Sequence, residues 1–396
     1  MTDISFDLFK AYFAARQNKR NTYNQLKFEY GFESNLLALN DEIINRNYKP
    51  LPEMAFIVHK PVKREIFAAD FRDRVVHHLL FGYLNPIMEN YFINDCYSCR
   101  KGKGTSYGIN RVNSFIKSCS MNYQKDCYIL KLDIQGYFMG INKTKLFELI
   151  NQLLTKEKAK NNVFPFDEDL VNYLLKTIIF NDPAKKCRIK GNREDWKDLP
   201  KNKSLFYSEQ DCGLPIGNLT SQLFGNIYMT IFDHFVKRDL GIRYYGRYVD
   251  DFILVHNDKE YLKSLIPHIQ NFLLSTLKLN LHPRKIYLQS YENGVQFLGV
   301  VIKPYRTYIA RRTKVNFYKT IEQWNQIISE KKIVNKEEIN AFLSSINSYL
   351  GTMKHYKTYK LRKKILLKNL SAYFWNYFYI SGGYCKVVPK IRIVKN

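Results

Sequence analysis

Tyr248-Val249-Asp250-Asp251 falls between two apolar, β-prone runs, Tyr244-Tyr245-Gly246-Arg247 and Phe252-Ile253-Leu254-Val255. Val, Ile, Tyr and Phe favour pleated strands and Asp favours turns, so this stretch predicts a hairpin with its charges at the turn. Two adjacent carboxylates repel each other unless a cation sits between them. Hard oxygen donors held in this way suit Mg²⁺, which keeps part of its water shell and completes it with substrate phosphates. The plain alternative is a solvated acidic turn, and the rest of the chain has to choose between the two.

Charge bears on that choice. The chain of 396 residues carries 62 Lys and Arg against 36 Asp and Glu, a formal charge of +26. Such an excess implies a polyanionic partner, either nucleic acid or an anionic membrane surface. Thirty Tyr and 27 Phe, spread along the whole chain, favour nucleic acid, because aromatic faces beside basic groups can stack on bases. No run approaches the ~18 apolar residues of a spanning helix. Asp3 and Asp7 stand where a signal peptide would be basic and then apolar, so a soluble, non-secreted, cytoplasmic protein is expected. Seven cysteines, an odd number, suit reduced thiols. Cys96 and Cys99 have zinc-like spacing, but no matching second pair follows.

The length allows two or three lobes. Residues 6–47 read as helical, with Phe9, Phe13 and Ala14 on one face and Leu36, Leu37, Leu39, Ile43 and Ile44 forming a later run ended by Pro50 and Pro52. A hairpin is expected from Phe56-Ile57-Val58 and Glu65-Ile66-Phe67 around Pro61-Val62-Lys63-Arg64. A helix over 73–90 follows, capped by Asp70 or Asp73. Lys101-Gly102-Lys103-Gly104-Thr105 is a basic loop without phosphate-loop spacing. Residues 128–134 read as a buried strand, 155–211 as a polar, irregular insertion, and 219–237 as a helix with Leu223, Ile227, Ile231 and Phe235 in register. After Pro304 the period is helical to near the end, with Asn335 and Glu338 placed as a capping box. No acidic residue follows Glu338, whereas eleven Lys or Arg do. That one-signed run is either a solvated face or, more in keeping with its asymmetry, a phosphate-backbone surface.

Asp133 ends the buried strand, so its carboxylate projects from a sheet edge. Set beside the Asp250-Asp251 turn, it would gather three carboxylates at one spot, as a two-metal phosphoryl-transfer site requires.

The ordered series Asp133-Ile134-Gln135-Gly136-Tyr137-Phe138, Gly213-Leu214-Pro215-Ile216-Gly217-Asn218, Tyr248-Val249-Asp250-Asp251, Pro283-Arg284-Lys285 and Phe297-Leu298-Gly299 resembles the successive palm motifs of reverse transcriptases. The resemblance extends upstream to Arg64-Glu65-Ile66 and to Phe71-Arg72-Asp73-Arg74-Val75-Val76-His77-His78, like the fingers of bacterial enzymes. It implies an α+β right-hand polymerase fold: an N-terminal helical extension (1–55), fingers with the first palm helices (56–127), palm (128–310) and a basic helical thumb and tail (311–396). It implies two Mg²⁺ ions, with Mn²⁺ as the alternative, held by Asp133 and Asp250, with Asp251 a weaker or conditional ligand. Arg64, with Lys60 or Lys63, matches the cations that grip the incoming dNTP. Phe138 matches the residue that blocks a ribose 2′-OH, and Lys285 the basic residue that serves the departing pyrophosphate. Ile216 and Gly217 belong to the motif beside the nucleotide. Template RNA and the RNA–cDNA duplex are the implied partners.

A narrower resemblance, through Leu219-Thr220-Ser221-Gln222 after the Gly-Leu-Pro motif and through Ser348-Tyr349-Leu350-Gly351, is to the enzymes of diversity-generating retroelements. It implies a bacterial or phage element and a small accessory helical-bundle protein oligomer as partner. Accurate relatives carry Gln where this chain has Ile216. Ile makes no hydrogen bond to the nucleotide sugar, so lowered fidelity is expected. Intron, retron or phage-defence reverse transcriptases are the alternatives within the class, and a catalytically vestigial RNA-binding scaffold the alternative outside it.

Overall fold

The computed structural model describes residues 4–17, 21–59, 62–161, 163–331 and 335–390, so Lys60 and Pro61 of the expected fingers turn lie outside the described residues. Two compact units emerge, Met1–Arg111 with Leu130–Leu288, and Val112–Ile129 with Gln289–Asn396. Helices are combined with mainly antiparallel sheets, the α+β class expected.

The first unit opens with helices α1 (Ser5–Arg16), α2 (Tyr23–Glu29) and α3 (Phe32–Ile44). The inward face of α1 is Leu8, Ala11, Tyr12 and Ala15, not the expected Phe9, Phe13 and Ala14; Phe13 is 62% exposed. Both sets satisfy helical spacing, and packing chooses between them: Tyr12 stacks on Phe32 and meets Phe71 edge-on. In α3 the expected Leu36, Leu39 and Ile43 are buried, while Leu37 faces out.

Strands β1 (Glu53–Val58) and β2 (Arg64–Ala68) form the expected hairpin. Helix α4 (Phe71–Met88) starts on Asp70, whose carboxylate accepts from the Arg72 N–H at 3.1 Å. Asp73, the other cap candidate, is buried and accepts instead from the Tyr48 hydroxyl and the Leu51 N–H. Strand β3 (Tyr128–Asp133) is as expected, with Ile129, Leu130 and Leu132 buried.

The stretch 155–211 is not irregular throughout. Helix Lys143–Asn161 runs into it and helix Glu168–Ile179 lies wholly inside it, capped by Asp167 and buried through Leu170, Val171, Leu174, Leu175 and Ile179. A three-residue strand, β4 (Cys187–Ile189), then pairs parallel to β1, and three short 3-10 turns follow. High polarity masked an amphipathic helix whose apolar residues occupy one stripe.

The helix expected over 219–237 is present in pieces, Leu219–Tyr228, Thr230–His234 and a wider π turn Phe235–Asp239. The break shifts the helical frame, so Phe232 and Val236 are buried where Ile231 and Phe235 were expected. Strands β5 (Tyr244–Tyr248) and β6 (Asp251–His256) make the acidic hairpin, and β7 (Tyr287–Ser290) completes a sheet of order β5-β6-β3-β7.

The second unit contains β8 (Val295–Phe297), β9 (Val300–Lys303) and β10 (Arg306–Ile309) in one antiparallel sheet. Helices Arg311–Lys331, Lys336–Met353 and Tyr359–Lys364 follow. The capping box is formed, with Asn335 Oδ1 accepting from the Glu338 N–H at 2.9 Å and Glu338 Oε2 from the Asn335 N–H at 3.1 Å. Its core is Phe317, Ile321, Phe342, Ile346 and Leu350, onto which the hairpin β11 (Phe378–Ser381) and β12 (Lys386–Pro389) folds. The helical period after Pro304 therefore gives way to strands at both ends, at β10 and at the last hairpin. All seven cysteines are free thiols, and Cys96 is buried while Cys99 is exposed. No helix among the described residues is long and apolar enough to cross a membrane.

Candidate active site

The hairpin turn consists of Val249 and Asp250 between the paired residues Tyr248 and Asp251. A two-residue hairpin turn needs a left-handed residue, and Val249 supplies it with φ 57°. A β-branched side chain is disfavoured there, so the turn has to be held. Arg247 Nη1 donates to the Val249 carbonyl at 2.9 Å, and the Val249 N–H donates to Ser98 Oγ at 3.2 Å. Arg247 is fully buried. It is fixed by Asp233, itself fully buried, through Nε to Oδ1 and Nη2 to Oδ2, both at 2.7 Å. Burial alone would depress the guanidinium's pKa, but Asp233 beside it holds it well above its ordinary value. Asn226 supports Ser98 in turn, accepting from its hydroxyl at 3.0 Å and donating to its carbonyl at 2.8 Å.

Three segments converge on Asp133. The Ile134 N–H donates to the Asp250 carbonyl at 3.1 Å, placing the end of β3 against the acidic turn. The His282 N–H donates to the Asp133 carbonyl and the Gln135 N–H to the Asn280 carbonyl, which bring up the Pro283-Arg284-Lys285 turn. From it Lys285 Nζ reaches Asp133 Oδ1 at 2.8 Å. Burial raises the Asp250 carboxyl to about 6; Asp133 pushes it the same way, while Lys285 and Arg64 oppose. Arg64, exposed on β2, is thus within electrostatic reach of Asp250.

Asp250 and Asp251 both feel the negative charge of Asp133, which pushes their carboxyl pKa values up. Among the described residues, no group of three or more His, Cys, Asp or Glu side chains is assembled as a metal centre. Asp251 opens β6, and its Oδ2 is bridged to Lys131 Nζ at 3.1 Å. Burial raises Asp251 to about 7 against the opposing pull of Lys131. Its Oδ1 is buried without a hydrogen-bond partner. Two mutually repelling carboxylates and an orphaned carboxylate oxygen nearby form a hard-oxygen donor set that fits a divalent cation such as Mg²⁺. Lys131 was missed in the sequence, although a lysine two residues before Asp133 in an otherwise apolar strand shares its face and signals a carboxylate partner.

Lys63, expected beside Arg64 as a dNTP cation, donates through Nζ to the Lys197 carbonyl. Phe138 and Ile216 are half-buried and pack against one apolar cluster, Ala55, Phe67, Met139 and Leu205. The Ile216 carbonyl accepts from the Phe67 N–H at 2.8 Å. Gly217, with φ 135°, lets the Phe67 carbonyl approach where a Cβ would stand, so its place in the motif is backbone clearance. Asn218 ends the motif as a buried clip, its Oδ1 accepting from the Ala69 N–H at 3.2 Å and its Nδ2 donating to Glu53 at 3.0 Å.

Residues 59–302, more than half of the chain, match the family described as reverse transcriptase (RNA-dependent DNA polymerase). Comparison with curated proteins gives no significant match. Among solved structures, the chain is similar to apo telomerase from Candida tropicalis truncated from its C-terminal domain. The identity is 13% and the TM-score 0.45, over 70% of this chain and 60% of that one. It is also similar to telomerase from Candida albicans in complex with a fragment of telomeric RNA, at 13% identity and a TM-score of 0.43, over 86% of this chain and 61% of that one. The chain thus spans about 60% of the length of either telomerase.

Proposed function

The chain belongs to the reverse transcriptase (RNA-dependent DNA polymerase) family, and from that premise we propose that it copies RNA into DNA at Asp133 and Asp250. The observation that carries the proposal is the convergence of Asp133, Asp250 and Lys285 at the mouth of a sheet, with Arg64 in electrostatic reach. In the reaction the primer 3′ oxygen attacks the α-phosphorus of a dNTP, and the bond to pyrophosphate breaks. Asp133 and Asp250 would hold two Mg²⁺ ions, Mn²⁺ being the alternative, with Asp251 joining once freed from Lys131. Bound there, such ions acidify the primer hydroxyl and neutralise the triphosphate. Arg64 adds positive charge for the phosphates. Lys285 Nζ carries a proton for the leaving pyrophosphate, and Phe138 crowds the position of a ribose 2′-OH.

On a primed RNA template, Asp250→Asn should abolish dNTP incorporation; retained incorporation would reject the assignment. Extension that depends on added divalent cation also separates this reading from an RNA-binding scaffold, which would bind without extending.

The finer reading is a diversity-generating enzyme that makes error-prone cDNA with an accessory helical-bundle protein. It is supported by the motif ending in Thr220-Ser221-Gln222 and by the apolar Ile216 beside Phe67. Equal misincorporation by the wild type and Ile216→Gln, measured opposite each template base, would sink the fidelity argument.

A further inference from the structure

Glu65 is a buried carboxylate, 1% exposed, sitting on β2 directly after Arg64. Its three hydrogen-bond donors among the described residues come from one distant stretch: Trp196 Nε1 at 2.6 Å, Ser204 Oγ at 2.7 Å and the Leu205 N–H at 2.5 Å. A carboxylate is costly to bury, and here its acceptor sites are filled by these donors. The stretch 193–207 is thereby strapped to the fingers hairpin. Two motif glycines make room for it. Gly136, with φ 57°, would place a Cβ 2.7 Å from the Asn202 carbonyl oxygen, and Gly213, with φ 97°, would place one 2.6 Å from the Leu205 side chain. Leu205 belongs to the apolar cluster against which Phe138, Ile216 and Trp196 pack. Phe206 extends the contact to Phe67, with ring centroids 5.5 Å apart.

We propose that this strap is a specificity element of the nucleotide site, and that Glu65, Trp196 and Ser204 are positioning residues. They fix Leu205 behind Phe138 and Ile216 and so set how closely Phe138 approaches the sugar of the incoming nucleotide. The proposal rests on the polymerase reading above. Half-buried Phe138 can rotate away only if the cluster behind it loosens, and the strap supplies that backing from outside the motifs themselves.

The test compares kcat/KM for a dNTP and for the matching ribonucleotide in the full-length chain. Glu65→Gln keeps the side-chain shape but puts an amide where three donors converge. Trp196→Phe removes one donor and keeps an aromatic ring, a second route should Glu65→Gln fail to fold. The preference for dNTP is expected to fall about tenfold or more in Glu65→Gln and several-fold in Trp196→Phe, through faster ribonucleotide use. Cleavage by trypsin within 197–203 should also accelerate while the melting temperature of the rest is retained. Mere loss of folded protein lowers both substrates equally and leaves the ratio unchanged. An unchanged ratio in active variants overturns the proposal. A wild type that extends no primer overturns the polymerase reading instead, so the two failures are distinguishable.

Discussion

Replacing Asp233 by Asn is the perturbation that probes how the acidic turn is held. Asp233 accepts three short hydrogen bonds, two from Arg247 and one from the Tyr245 hydroxyl at 2.6 Å, and both members of the ion pair have no exposed side-chain surface. The variant leaves the Arg247 guanidinium buried without its counter-charge, which costs about 3–5 kcal/mol. Against a total stability of about 5–15 kcal/mol, that is a large fraction but compatible with a folded chain at low temperature. The second consequence is local. Arg247 is one of two anchors on Val249, whose left-handed conformation costs about 1–3 kcal/mol and persists only under constraint. Ser98→Ala removes the other anchor at about 1 kcal/mol. Urea unfolding followed by circular dichroism measures the stability cost. Primer extension, run where each variant is folded, measures the effect on the turn. Activity should fall beyond the loss of folded protein in both variants. Val249→Gly, which adopts the left-handed region freely, should restore part of it in the Ser98→Ala background. A cost below about 1 kcal/mol for Asp233→Asn, or no recovery from Val249→Gly, would refute this account of the network.

Burial raises the Glu53 carboxyl from 4.5 to about 7, because Oε2 has no partner and the Asn218 contact only partly offsets it. A raised folded-state pKa favours the protonated fold, so this contribution to stability falls as pH rises from about 4.5 to about 7 and is flat above. Glu53→Gln should therefore stabilise the chain above pH 7 by about 1–3 kcal/mol, and an unchanged melting temperature at pH 8 would contradict it. Lys285→Met should lower kcat by about 10²-fold or more with a smaller change in KM, read by single-turnover extension, if the ammonium beside Asp133 is the proposed proton donor. Gly217→Ala combines φ 135° with a collision against the Phe67 carbonyl, so soluble yield and melting temperature should fall, whereas Gly351→Ala, with open space around it, should be neutral or mildly stabilising.

Much of the site was legible in the chain, and the omissions have physical causes. The strand ending at Asp133, the acidic hairpin and the β1–β2 hairpin are local patterns of two-residue period and turn chemistry, readable without tertiary contacts. The helix inside the insertion 155–211 was misread because solvent-facing Glu168, Asp169 and Lys176 and the polar stretches around it diluted the stripe of Leu170, Leu174 and Leu175. The face of α1 was misread because its apolar residues satisfy two helical frames, and only the packing of Tyr12 on Phe32 and Phe71 selects one.

By itself the sequence determined strands β1, β2, β3, β5 and β6, the turn that carries Asp250, the order of the motifs and the positive charge that suits a polyanion, since each depends on neighbouring side chains or on a simple sum. Tertiary structure decided which charges meet. Asp133 and Lys285 are 152 residues apart, and the Glu65 carboxylate finds its donors more than 130 residues downstream. It also decided that Asp251, adjacent in sequence to Asp250, pairs with Lys131 from β3. The reason is that a buried charge must be matched by whatever group packing brings within a few ångströms, and sequence spacing carries no record of that distance.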